Sequence, residues 1–182
     1  MDKTQRDEYQ RLFLLEQLPE SLTRADRHLQ IFDNYIANTR LRLRSVRVPE
    51  TKEWTWILQQ RFPIEETGAH WKIAEIHLNE TEYHLFEQFE GREIRKNRYF
   101  YETTGRHIEI DVFLGNLWGL NTARVCFETL EELRDFEFPL AALEVTGDEF
   151  FRGESLVDKR FTDVRQRVAE ITERHLPETP GN

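Results

Sequence analysis

Three arginines, Arg40, Arg42 and Arg44, occupy alternate positions in the stretch TRLRLRSVRV. Alternate residues of a strand share a face, so three guanidinium groups would line one side of it, opposite Leu41 and Leu43. Packed this closely, like charges repel unless solvent or an anion separates them. The forked donors of arginine match phosphate oxygens, which makes the stretch a candidate anion grip; a solvated basic face would carry the same pattern. A second charged arrangement lies in KNRYFYETTGRHIEIDVFLGNLWGL, residues 96–120. Lys96 and Arg98 alternate along one strand, Thr104-Gly105 reverses the chain, and Glu109 and Asp111 alternate along the next, opposite Ile108, Ile110 and Val112. A closed or cup-shaped sheet can turn such charged faces inward around a polar ligand and its apolar face outward against helices.

The elements that must position these groups are mostly strands. Alternation predicts strands over Glu8–Gln17, His28–Ile36, Thr39–Val48, Glu53–Arg61 and Ala69–Leu78, with a short helical turn from Pro19 to Ala25. Asn79 and Glu82 have capping-box spacing for a helix running to about Glu90, whose Leu85, Phe86 and Phe89 mark a buried face. Beyond the central hairpin, NTARVCFE reads as a strand, Leu130–Phe136 as a short helix, AALEVT as a strand and Asp158–His175 as an amphipathic helix. Trp54 and Trp56 share a face, read as core or rim packing. Together these give one mainly antiparallel β domain with peripheral helices, an α+β chain spanning residues 1–176, followed by a frayed tail at 177–182.

Composition bounds the function. A length of 182 residues suits one domain with a substantial core. No apolar run is long enough to span a membrane, and MDKTQRDEYQ lacks the apolar core of a signal peptide, so a cytoplasmic protein is expected. The single Cys126 cannot form an internal disulfide or a cysteine metal cluster, and is read as a small buried residue. His70, His77 and His84 straddle a strand and a helix and give no histidine metal site. A formal charge of −9 argues against general nucleic-acid binding, which draws on an excess of Lys and Arg, but leaves room for a local basic pocket. Oligomeric state has no sequence signal here.

In order and spacing, EYQRLFLL, TRLRLR, IRKNRY, HIEIDVFLGNLWGL and FPLAALEVT resemble the CYTH superfamily of triphosphate tunnel metalloenzymes. The resemblance implies an eight-stranded antiparallel β-tunnel with charged residues inside. It implies basic side chains holding a triphosphate or nucleotide, glutamates holding Mg or Mn, and hydrolysis of inorganic triphosphate, thiamine triphosphate or RNA 5′-triphosphates, or in a few members cyclisation of ATP. Hard divalent cations prefer carboxylate oxygens, and phosphoryl transfer is mainly positioning and charge stabilisation. On the matching positions, Arg40, Arg42, Lys96 and Arg98 are the implied phosphate ligands. Glu8, Glu75, Glu109, Asp111 and Glu144 are the implied catalytic or metal-binding carboxylates.

Several positions depart from the family pattern. Gln10 and Leu12 replace the second glutamate and the lysine of the opening signature, Arg124 and Cys126 replace two glutamates of a later strand, Ile73 replaces another, and Gln59 or Gln60 replaces a lysine. Arg124 makes a metal position cationic, which works against the standard Mg or Mn arrangement. Three readings follow: a tunnel that binds a polyphosphate or nucleotide with hydrolysis lost or reduced; a divergent metal-dependent triphosphate hydrolase or cyclase-like enzyme; or an interaction module whose charges pair across the tunnel, with Arg124 facing Glu8 or Glu144.

Overall fold

The computed structural model describes residues 5–65, 67–103 and 105–174. Nine strands form one sheet: β1 (Gln5–Leu14), β2 (His28–Ile36), β3 (Leu41–Arg47), β4 (Trp54–Pro63), β5 (His70–Leu78), β6 (Gly91–Thr103), β7 (Arg106–Phe113), β8 (Asn121–Phe127) and the two-residue β9 (Leu143–Glu144). The order is β5-β4-β3-β2-β6-β7-β8-β1-β9, and β5 also pairs with β1, so eight antiparallel strands close into a barrel. Closure divides one edge of β1 between two partners. Gln5–Tyr9 pair with β5, while Phe13 and Leu14 pair with β9. The expected tunnel is therefore present.

The barrel is inverted relative to an ordinary core, because alternation places charged residues inside and apolar ones outside. Phe13, Tyr99, Ile108, Ile110, Val125 and Phe127 are buried on the outer wall, beneath Leu18, Leu22, Phe136, Phe138 and Leu140. A second apolar cluster stoppers one end. There Leu14, Ile94 and Phe113 of the barrel rim pack against Phe151, Leu156 and Val164, which come from the segment after β9, from α3 (Gly153–Leu156) and from α4 (Phe161–Arg174). Gly153 permits this approach: a Cβ there would lie 1.7 Å from the Tyr35 hydroxyl.

Four local expectations are corrected. Residues 19–26 form turns, closed by Leu22 N–H to Pro19 O and Asp26 N–H to Thr23 O, in place of a helical turn. The helix α1 (Glu80–Glu87) has its capping box, but it buries no residue: Leu85 and Phe89 are exposed. It meets the barrel through Tyr83, stacked on Trp56, which leaves the Leu85 face outward. Trp54 is 44% exposed and stacks on Trp56 along the outer wall, outside any core. Cys126 is exposed, because its alternation with Val125 and Phe127 turns it to the lumen side of β8. The helix α2 (Leu130–Asp135) has the expected start, with Thr129 accepting from the Glu132 N–H. No helix among the described residues is long and apolar enough to cross a membrane. The frayed-tail expectation for 177–182 lies outside the described residues.

Candidate functional site: a cationic barrel cavity

The register brings charged side chains from every barrel strand into one lumen. Asp33 of β2 lies opposite Arg44 of β3, and Arg42 opposite Gln59 of β4. Arg98 of β6 is opposite Asp111 of β7, and Glu109 opposite Arg124 of β8. Gln59, not Gln60, is thus the inward residue of β4, and it is 4% exposed. Of the residues read as pointing inward, Arg42, Lys96, Arg98, Glu109 and Asp111 do so. Arg40 precedes the strand: β3 begins one residue later, after Asn38 at φ 59°, and Arg40 is exposed at the rim, where it borders the lumen cavity with its guanidinium over the Phe62 ring.

Two carboxylates organise the middle of the lumen. Asp33, 1% exposed, accepts from Arg44 Nε at 2.6 Å and Arg44 Nη2 at 2.8 Å, with Arg42 Nη1 at 3.5 Å and Lys96 Nζ at 3.9 Å. Asp111 accepts from Arg98 Nε at 2.7 Å, Arg98 Nη2 at 2.8 Å and Lys96 Nζ at 2.7 Å. Burial alone would raise both pKa values, but Arg42 and Arg44 at Asp33, and Arg98 and Lys96 at Asp111, outweigh it and hold both acids well below the usual carboxylate range. Burial also works on Lys96, whose pKa falls to about 8 despite Asp111.

Beside these, Arg124 bridges two acids. Its Nε donates to Glu109 at 2.8 Å and its Nη1 to Glu8 at 3.1 Å. Arg98 Nη1 reaches Glu109 from the other side at 2.8 Å. Burial would raise the Glu109 pKa, yet Arg124 and Arg98 bring it down to about 2. Glu75 pairs with Arg6 and accepts from Gln59 Nε2 at 2.7 Å. Glu144 does not join this set. It pairs with Phe13 of the outer wall, and Arg11 holds its carboxylate at 2.9 and 2.6 Å, so it lies outside the lumen.

Towards the stoppered end the lumen opens into a cavity of about 380 Å³. Such a volume can enclose a small ligand, for which pockets run to roughly 300–1,000 Å³. Arg42, Arg44, Arg61, Arg92, Lys96, Arg98 and Arg124 line it from the strands, Arg40 from the rim and Arg152 from the stopper. Of the expected carboxylates only Asp111 lines it; Leu12 does too, as an apolar patch. Arg61 Nη2 donates to Glu8 at 2.9 Å and Gln10 at 3.0 Å. Burial, followed by the charge of Arg124, lowers the Arg61 pKa to about 9.

Three contributors escaped the sequence reading. Asp33 and Arg61 carried a signal, since each sits at alternate spacing from other inward residues of its strand, Asp33 from Tyr35 and Arg61 from Gln59. Arg152 carried none, because it lies in an aperiodic segment.

The lumen does not fit a divalent cation as it stands. Arg124 spans Glu8 and Glu109, Arg98 and Lys96 hold Asp111, and Arg6 and Gln59 hold Glu75. Among the described residues no three His, Cys, Asp or Glu side chains group to hold a metal. The chemistry this arrangement offers is charge complementarity toward an anion.

No protein-family model matches the chain, and no curated protein matches it. Solved structures do. A crystal structure of the hypothetical protein NE1496 is 24% identical, with a TM-score of 0.56, over 84% of this chain and 99% of that one. A crystal structure of the inorganic triphosphatase NE1496 is 24% identical, with a TM-score of 0.55, over 82% and 93%. The likeness shows the fold: the chain shares the architecture of these structures, and its closed barrel is the tunnel that the sequence resemblance implied.

Proposed function

We propose that this chain binds a linear polyphosphate or a nucleoside triphosphate in the barrel cavity and hydrolyses it slowly or not at all. The observation that carries the reading is the convergence of seven strand-borne cations, with Arg40 and Arg152, on one cavity whose only strand-borne acids are Asp33 and Asp111. A multiply charged anion relieves the repulsion among those cations, and the forked donors suit its oxygens. The inorganic triphosphatase named above has the same fold, which supports a triphosphate as the ligand class.

Weak turnover follows from Arg124. In a metal-assisted transfer a divalent ion anchored by carboxylates neutralises charge on the phosphoryl oxygens. Here a guanidinium occupies the space between Glu8 and Glu109, and charge must be met by arginine and lysine alone. Loss of such an interaction is commonly worth several kcal/mol, or orders of magnitude in rate. A protein with one cysteine suits a reducing cytoplasmic setting.

Thermal melting with tripolyphosphate, ATP and thiamine triphosphate tests binding: the midpoint is expected to rise with ligand, less in high salt. Phosphate release with Mg or Mn is expected near background. No melting shift at millimolar ligand overturns the binding reading. Turnover of about one per second or faster would restore the divergent-hydrolase reading.

A further inference from the structure

The lumen cations are not equivalent as ligands. Arg44 spends Nε and Nη2 on Asp33, and Arg98 spends Nε and Nη2 on Asp111 and Nη1 on Glu109. Lys96 is held by Asp111. Arg42, Arg61 and Arg152 are engaged through their terminal nitrogens, Arg42 with Asp33, Tyr35 and Gln59, Arg61 with Glu8 and Gln10, and Arg152 with Glu149, but the Nε of each is buried with no hydrogen-bond partner, and all three residues line the cavity. Among the described residues one other buried side-chain nitrogen is in this condition, His70 Nε2, and it does not line the cavity. A buried N–H without an acceptor is costly, and a charged one more so.

Two of these arginines flank one ring. The guanidinium of Arg61 lies 5.1 Å from the Trp71 centroid and that of Arg152 lies 5.5 Å from it. Trp71 is fixed by its own indole N–H, which donates to Gly68 O at 2.7 Å. Arg152 is also tied at its far end, where Nη1 donates to Glu149 at 2.7 Å. The segment carrying it seats against the barrel through Gly153 and Tyr35, and Tyr35 in turn accepts from Arg42 Nη1 at 3.2 Å. Donors from β3, β4 and the stopper thus line one cavity, two of them beside the same ring.

We infer that Arg42, Arg61 and Arg152 form the primary phosphate subsite, with Trp71 as its rigid support, and that Lys96 and Arg98 serve mainly to neutralise Asp111. This rests on the anion-binding reading. It assigns the first phosphate contact to the stoppered end, and it makes a residue from outside the barrel part of the binding site. The ligand class is a terminal phosphoryl group of a polyphosphate, the chemistry that takes several charged N–H donors at once.

Calorimetric titration of the full chain with tripolyphosphate tests this. Arg152→Gln and Arg61→Gln are each expected to weaken binding about tenfold or more, the size of a lost charge-assisted hydrogen bond. Gly153→Ala keeps every cation but forces α3 from Tyr35, and is expected to weaken binding by a similar factor. Arg95→Gln removes an exposed charge paired with Glu93 outside the cavity and is expected to leave affinity within twofold. Melting curves show which variants are folded, and Gly153→Ala keeps the test open if Arg61→Gln is not. Wild-type binding with Arg152→Gln and Gly153→Ala unchanged, and loss confined to Lys96→Gln, would overturn the subsite. No binding by the wild-type chain would instead remove the anion-binding reading beneath it.

Discussion

Two groups of lumen side chains are built from the same residue types and solve opposite problems. Around Arg124 the charges cancel locally, with each acid answered by a cation within hydrogen-bonding distance. Around Trp71 donors outnumber acceptors, and three guanidinium nitrogens are buried without a partner. An arginine is therefore not a binding residue by virtue of its position alone. What matters is whether one of its nitrogens is left buried without an acceptor.

That contrast can be broken most severely at Asp33. Removing one partner of a buried ion cluster leaves the others uncompensated, so Asp33→Asn is expected to cost about 3–5 kcal/mol in chemical denaturation. A stability loss under 1 kcal/mol would mean that the cluster is not electrostatically coupled.

Arg124→Gln should sharpen the comparison by removing the cation that Glu8 and Glu109 share. Loss of the bridge is expected to destabilise the chain by about 2–4 kcal/mol, with Glu8 left to Arg61 and Glu109 to Arg98. Millimolar Mn should then raise the melting midpoint of this variant and not that of the wild type. Absence of a Mn response would show that these two acids cannot form a cation site even when freed of Arg124.

Acid should attack the satisfied group first. Glu109 has a folded pKa of about 2 against an ordinary value of 4.5. Its stabilising contribution is complete above pH 4.5 and is lost as pH falls toward 2, with Asp33 and Asp111 adding to the loss in the same direction. Denaturation midpoints measured from pH 6 down should fall steeply only in that window. The smallest effect is expected far from both groups. Leu85→Ser on α1 should change stability by no more than about 0.5 kcal/mol, because that face is exposed.

Much of the barrel was legible because strand alternation is a local signal. The span His28–Ile36 agrees with β2 at both ends, and the Lys96, Arg98, Glu109 and Asp111 faces turn inward as their spacing requires. Where a local rule met a non-local fact it failed. Arg40 kept the period of Arg42 but fell before the strand began. Leu85 and Phe89 kept helical spacing, yet both are exposed, and it is Tyr83 that stacks on the barrel's Trp56. Glu144 lay in a strand as expected, but β9 pairs with the outer-wall position of Phe13. Arg152 had no period to read, since tertiary packing alone brings it over Trp71.

The divided edge of β1 also governs how the chain must assemble. Glu8 and the Arg124 that holds it are separated by 116 positions, and β1 gains its β8 partner only when that late strand is in place. Up to that moment the first strand has only β5 beside it, along half of its length. Contacts this far apart in sequence make folding slow, and an unpaired edge exposed meanwhile invites pairing with another chain. The closing of the ring around the cavity is for that reason also the step at which this protein is most open to aggregation during its synthesis.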